Sequence, residues 1–281
     1  MKFKAIFILF NAVILISFLV IYFMPLIMLG WDYTRVFWEK NWGLPVLFVA
    51  IIGLLNGYFV MNWKLFHLLE REDWPELILF LEEKVYSKKL VFRQQVRILI
   101  NAYLVQSNLD AIGKLESYLK REKENMIPRF ALAFGVPYLL RNNGEEMTEY
   151  FSRFLEIKSK DRYWIRWNYG FAFILQGERE KAEAALLRAA GQKREPVLSL
   201  LTFCLLDSLK PEDRETNAVV ANGITELRKR FSPATWTREV EKSKNNIQVV
   251  ILSRLVEEAT DWLFAIEESP QGKSDSESTV H

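Results

Sequence analysis

The sequence predicts an all-α protein: a transmembrane helical hairpin, then a helix-turn-helix solenoid closed by a C-terminal capping helix. Three observations predict it. Two long uncharged apolar runs occupy the N-terminal part of the chain. From Lys64 onward apolar residues recur at helical spacing, with no sustained period-two alternation and no Asn-Gly or Asp-Gly between β-branched runs. Turn signals divide that region at intervals of about 35 residues, and a fixed period in this range marks stacked repeats.

The membrane hairpin occupies residues 1–63. Residues 5–30 carry no charge, and neither do residues 41–63. A helix crosses the hydrocarbon core with about 20 apolar residues, so each run is long enough. The spans are placed at about 5–30 and 43–63. The first is too long for the apolar region of a signal peptide, and no small-x-small cleavage site follows it. Segregation of these runs explains how a chain with 26% charged residues has a mean hydropathy of +0.00.

Lys2 and Lys4 precede the first span, and Lys64, Arg71, Lys84, Lys88 and Lys89 follow the second. In the connecting loop Arg35 and Lys40 are offset by Asp32 and Glu39. The bias predicts both termini in the cytoplasm of a bacterial cell, with the chain a two-span inner-membrane protein. Trp31, Tyr33, Trp38, Trp42 and Trp63 flank the spans where amphipathic rings anchor in the lipid bilayer interface. A binding role for the same loop is the alternative, for which it is short.

Two polar marks lie inside the spans. Asn11 and Asn56 are each about two turns from the cytoplasmic end, so antiparallel packing puts them at similar depth. A hydrogen bond between them is worth ~0.6 kcal/mol. Gly53 and Gly57 form a small-xxx-small motif that lets helices approach closely. It serves either a homo-oligomer through the second span or packing on the first span. The tethered first span is the favoured partner because it is always present.

The solenoid occupies residues 64–231. Turns fall at Arg71–Asp73, Ser107–Asn108, Asn142–Gly144, Gly177–Glu178 and Pro211–Asp213. No linker separates the second span from the first of these helices, so the span is predicted to run on into the solenoid. In "YGFAFILQGEREKAEAALLRAAG" small residues stand at Gly170, Gly177, Ala182 and Ala189 among bulky neighbours. Helices pack at about 8–10 Å only where side chains are small.

This spacing resembles the tetratricopeptide repeat. The resemblance implies that Gly170 lets the second helix of the unit approach the first, that Gly177 begins the turn, and that Ala182 and Ala189 receive the neighbouring helix. Gly135 matches the small position of the unit before. Arg166 departs from the pattern, standing where an apolar residue is usual. Other units match through Trp74 and Leu77, through Tyr103, Ala111 and Leu115, and around Ala218. The resemblance covers roughly residues 60–231. The layout, two spans followed by such repeats, is also similar to that of a bacterial family linked to porphyrin synthesis.

A repeat array exposes an apolar face at its end unless capped. Residues 232–267 are read as that cap. Ser232-Pro233 supplies an N-cap and a first helical residue. Ile247, Val250, Ile251, Leu255, Ala259, Trp262 and Ile266 then form one stripe of a single long helix. The polar tail, 268–281, has too few apolar residues to fold.

No catalytic constellation is found. There are two histidines, His67 and His281, and no H-E-x-x-H, no phosphate-binding Gly-Lys-Ser/Thr loop and no G-x-G-x-x-G. The reading is a non-enzyme without cofactor or metal. Cys204, the one cysteine, excludes an intramolecular disulfide and is read as a buried structural thiol. A net charge of +2 is too balanced for nucleic acid.

What remains is a binding surface. The resemblance implies a concave face lined by the first helix of each unit. Trp164, Trp167, Phe171 and Ile174 then face the groove, with Arg129, Leu132 and Val136 from the unit before. Such an aromatic groove suits an apolar or helical peptide segment of a protein partner. The favoured reading of the same stripe is that it is core, filled by the C-terminal helix or by repeat-to-repeat packing, since buried apolar residues are the default. The functional expectation is a membrane-anchored scaffold or adaptor. The other is an accessory subunit of a membrane enzyme or transporter, docking through its hairpin.

Overall fold

The computed structural model describes residues 2–89, 91–159, 161–190 and 195–265. Every regular element among them is helical, and none is a strand. The chain divides into two compact units, Met1–Asn108 and Leu109–His281.

The first unit opens with α1 (Lys2–Leu29), an uninterrupted helix that accommodates Pro25. Gly30 ends it with a φ of +79°, a left-handed value that side chains resist. The segment expected to be a connecting loop is instead a helix, α2 (Trp31–Asn41). Its charges explain this. Asp32 lies in the first turn and Lys40 in the last, each complementing the helix dipole, and Arg35 pairs with Glu39 one turn on at 3.3 Å. α2 folds back on α1: Trp38 Nε1 donates to the Tyr22 carbonyl at 3.3 Å, and the two rings stack with centroids 5.6 Å apart.

α3 (Gly43–Met61) runs antiparallel to α1. Phe18 stacks on Phe48 and Phe7 on Phe59, each at 3.8 Å between centroids. Lys4–Leu29 and Gly43–Met61 are both long and apolar enough to cross a membrane. α3 does not run on unbroken. Asn62, at φ −106° and ψ 12°, interrupts it before α4 (Trp63–Glu70). The break is one residue long, and Phe59 and Phe66 stack across it at 5.2 Å.

Asp73 then caps α5 (Trp74–Glu82), accepting from the Glu76 amide at 3.3 Å. A wide helical turn, Glu83–Ser87, precedes α6 (Arg93–Val105). Leu77, Leu81, Val85, Leu99 and Tyr103 are buried in this part of the unit. Tyr103 donates its hydroxyl to Glu82 Oε1 at 2.7 Å. Burial, reinforced by that bond to Glu82, pushes the phenol far above its usual range.

The second unit begins with α7 (Leu109–Glu122), α8 (Ile127–Phe134) and α9 (Val136–Leu140). α10 (Gly144–Ser152), α11 (Arg162–Leu175), α12 (Arg179–Ala190), α13 (Pro196–Ser208) and α14 (Arg214–Arg230) follow, and from α10 onward each packs on the next. Small residues stand at the closest approaches. A Cβ on Gly170 would lie 2.9 Å from Leu186 of α12, and one on Gly144 only 2.7 Å from the Ala172 carbonyl of α11. A Cβ on Gly135 would meet the Phe151 ring at 2.3 Å. Ala182 and Ala189 are buried. Ala218 is exposed, so it does not take the packing position expected of it. Arg166, the departure from the repeat pattern, turns its guanidinium to the Leu155 carbonyl.

One local geometry recurs along both units. Glu72, Ser107, Asn142, Gly177 and Lys210 all have positive φ, at successive intervals of 35, 35, 35 and 33 residues. Each stands just past a helix end, where a left-handed residue lets following amides reach the last free carbonyls. The Asp73, Asn108 and Glu178 amides close such turns onto Leu68, Tyr103 and Phe173 at 3.1, 2.8 and 2.9 Å. Asp73, Asn143 and Asp213 then cap the next helix.

The C-terminal cap is three helices rather than one: α15 (Pro233–Ser243), α16 (Ile247–Ile251) and α17 (Ser253–Ala265). Ser232 and Thr235 form a reciprocal capping box at its start. Asn246 ends the continuity, since its side chain accepts from the Gln248 amide at 3.1 Å and starts a new helix. The buried stripe is offset from the expected one: Val249, Leu252, Val256, Ala259 and Leu263 face inward, while Val250 is exposed. α17 packs on α13 and α14, and α15 on α13. Ile266 and the tail expected at 268–281 lie outside the described residues.

Candidate functional site

The expected aromatic groove is not an open surface. Trp164 is 1% and Trp167 0% exposed, and Leu132 and Val136 are buried. Phe171 and Ile174 are half-buried, and of the seven groove residues only Arg129 is exposed. The covering comes from later in the chain. Trp164 Nε1 donates to Glu195 Oε2 at 2.5 Å, just before α13. Asn168, one turn on, donates to Gln248 Oε1 of α16 at 3.1 Å, with both side chains buried. Trp167 stacks on Phe171 at 5.1 Å and meets Trp164 edge-on at 6.0 Å. This face of α11 is core, filled partly by the C-terminal helices.

In the hairpin, Asn56 Nδ2 donates to Asn11 Oδ1 at 2.8 Å. Gly53 and Gly57 do not pack on α1, contrary to the favoured expectation. Both are exposed, and a Cβ on either would meet nothing within 4 Å. The α1 contact runs instead through Phe48, Asn56 and Phe59, on a neighbouring face of α3.

Cys204 is half-exposed rather than buried. Burial of what remains, with Asp207 and Glu258 nearby, pushes its thiol upward, the opposite of an activated nucleophile. His67 is exposed on α4. No group of three or more His, Cys, Asp or Glu among the described residues could hold a metal ion.

The second unit does hold an open cleft that sequence reasoning missed. It measures about 520 Å³ and lies between α7 and the α8–α9 segment. Asp110, Gly113, Lys114, Ser117 and Arg121 line it from α7, one helical face read at steps of three and four. Phe134, Pro137, Tyr138 and Arg141 form the opposite wall. Arg141 Nη2 pairs with Asp110 Oδ1 at 2.7 Å across it. Glu116, on α7, is half-buried in the lining, and desolvation raises its carboxyl above the usual range against the pull of Arg153 and Lys120. Tyr138, stacked on Tyr150 at 4.8 Å, is raised too, by burial and then by Glu116. The signal available in the sequence was the polar face of α7 at helical spacing, interrupted by Gly113. It reads as an ordinary solvated face until α9 is placed opposite.

Comparison with known proteins gives two matches. The family model described as "Uncharacterised Treponema protein" matches residues 111–265. That stretch falls within the second unit and takes in all of α8 to α17. An uncharacterized protein of Treponema pallidum (strain Nichols) is 28% identical over 281 residues, covering 94% of this chain and 88% of its own length. No solved structure matches. With more than half of its residues matched to that model, the chain belongs to the family of uncharacterised Treponema proteins.

Proposed function

We propose that the protein is a membrane-anchored, tetratricopeptide-like scaffold that holds protein partners at the cytoplasmic face of a bacterial inner membrane. The observation that carries this reading is the left-handed turn that recurs about every 35 residues, beginning at Glu72. It begins ten residues after Asn62, the one-residue break at the end of a span-length helix. Stacked repeats present long surfaces to other proteins. The close approaches at Gly135, Gly144 and Gly170 support the repeat reading. The lysines on either side of the hairpin support the orientation.

A second reading is favoured by Gly53 and Gly57, which leave a smooth stripe of α3 open to lipid or to another helix. Here the protein is an accessory subunit docking through its hairpin. Replacing residues 1–61 with an unrelated two-span hairpin separates the two. Partners recovered by cross-linking in membranes persist for a scaffold and vanish for a hairpin-docked subunit.

A further inference from the structure

The cleft between α7 and α9 has the chemistry of a specific ligand. Its lining carries three cations, Lys114, Arg121 and Arg141, and two carboxylates, Asp110 and Glu116. Asp110 is already matched by Arg141 at 2.7 Å. Lys114 and Arg121 are exposed, and neither has a salt-bridge partner among the described residues. Glu116 is half-buried on the same helix. Three cations against two carboxylates leave the lining net positive.

The spacing says how that charge is read. Lys114 and Arg121 lie two turns apart on one face of α7, about 10 Å along its axis. Between them Ser117 presents an exposed hydroxyl, and at Gly113 a Cβ would find open space. The lining along α7 from Asp110 to Arg121 is about 16 Å long, more than a compact anion fills. An extended chain in the polyproline II conformation advances about 3.1 Å per residue and returns to the same side every third residue. Two acidic side chains three residues apart then stand about 9 Å apart on one side.

We propose that this cleft binds an extended acidic peptide segment of a protein partner, with carboxylates at positions i and i+3 seated on Lys114 and Arg121. The segment's backbone lies over Gly113 and Ser117, and Tyr138 and Arg141 close the far side. The proposal rests on the scaffold reading only in taking the ligand from a protein partner. Occupancy of the cleft is measured independently of any membrane role.

The test uses the full chain in detergent micelles and a fluorescein-labelled peptide, Gly-Glu-Pro-Pro-Glu-Pro-Gly, read by anisotropy. Two surface ion pairs at up to about 1 kcal/mol each predict that K114E/R121E weakens binding about tenfold or more. The control K229E/R238E changes net charge equally at exposed positions outside the cleft and is expected to leave affinity unchanged. Circular dichroism establishes that both variants fold. Absence of probe binding to the wild type, or equal loss in both double variants, overturns the proposal. Displacement of the probe by an equal concentration of inorganic phosphate overturns it in favour of a small-anion site. Tighter binding of an alanine-rich helical peptide with Glu at i and i+7 overturns the extended geometry. Failure of the hairpin-replacement experiment with retained peptide binding overturns the scaffold reading alone.

Discussion

Asn56 and Asn11 face each other inside the hairpin, with Nδ2 of the first donating to Oδ1 of the second at 2.8 Å. Each amide also donates to the carbonyl one turn back in its own helix, Asn56 to Ile52 and Asn11 to Phe7, both at 2.9 Å. The local bonds survive loss of the partner, so the cross-helix bond contributes little on its own. A double-mutant cycle with Asn11→Leu and Asn56→Leu, followed by unfolding in mixed micelles, is expected to give a coupling of ~0.6 kcal/mol and no more than about 1.7 kcal/mol. A coupling near zero means that the pair is not bonded in the micelle.

The recurring left-handed turns give a paired prediction. Gly177 adopts a φ of +75° at no steric cost, whereas Lys210 at +47° carries a side chain in the same role. A side chain in this region costs roughly 1–2 kcal/mol. Gly177→Ala is expected to lower stability by about that amount, and Lys210→Gly to raise it by about 1 kcal/mol or less. Denaturant midpoints of the two variants should move in opposite directions.

Trp164→Ala empties the space of a fully buried ring and removes its hydrogen bond to Glu195. Removal of such a side chain costs about 3–5 kcal/mol. The thermal transition of the second unit is expected to drop sharply or to lose cooperativity by circular dichroism. A variant that melts like the wild type means that this face of α11 is open after all.

Glu116 makes stability depend on pH in a defined direction. Its folded-state pKa is raised by desolvation, opposed by Arg153 and Lys120, with Tyr138 and Tyr150 packed nearby. The folded state therefore binds this proton more tightly than the unfolded state does. The resulting stabilisation is complete below the unfolded carboxyl pKa and is lost as pH rises through the folded one. Glu116→Gln removes the penalty at neutral pH, so it is expected to raise the melting temperature more at pH 7.5 than at pH 4. The reverse order contradicts the assignment.

Features set by local chemistry were legible in the sequence. The two long apolar helices, the turns near Glu72, Ser107, Asn142, Gly177 and Lys210, and the small residues of α11 and α12 all follow from nearby residues, and the shared depth of Asn11 and Asn56 follows from their equal distance to the helix ends. What was not legible depends on contacts remote in the chain. Trp164 and Trp167 form the same stripe whether Glu195 and α16 cover them or a partner does. Gly53 and Gly57 fit a helix contact equally well on either side of α3, and only the aromatic pairs Phe7–Phe59 and Phe18–Phe48 fix which face meets α1. The cleft was hidden because Lys114 and Arg121 gain meaning only when Tyr138 and Arg141 stand opposite. The division of the cap into three helices, where one is expected, has a local cause. Asn245-Asn246 was a break signal, since Asn bonds to its own backbone and opens a new helix.

The membrane orientation is tested most directly by labelling single cysteines with a membrane-impermeant maleimide in spheroplasts of an expression host. In a Cys204→Ser background, Arg35→Cys reports on α2 and Arg254→Cys on α17, both at exposed positions. With both termini in the cytoplasm, the cysteine at 35 is labelled before lysis and the one at 254 only after it. Labelling at 254 in intact spheroplasts, or recovery of the protein in the soluble fraction, contradicts a cytoplasmic scaffold held by a two-span hairpin.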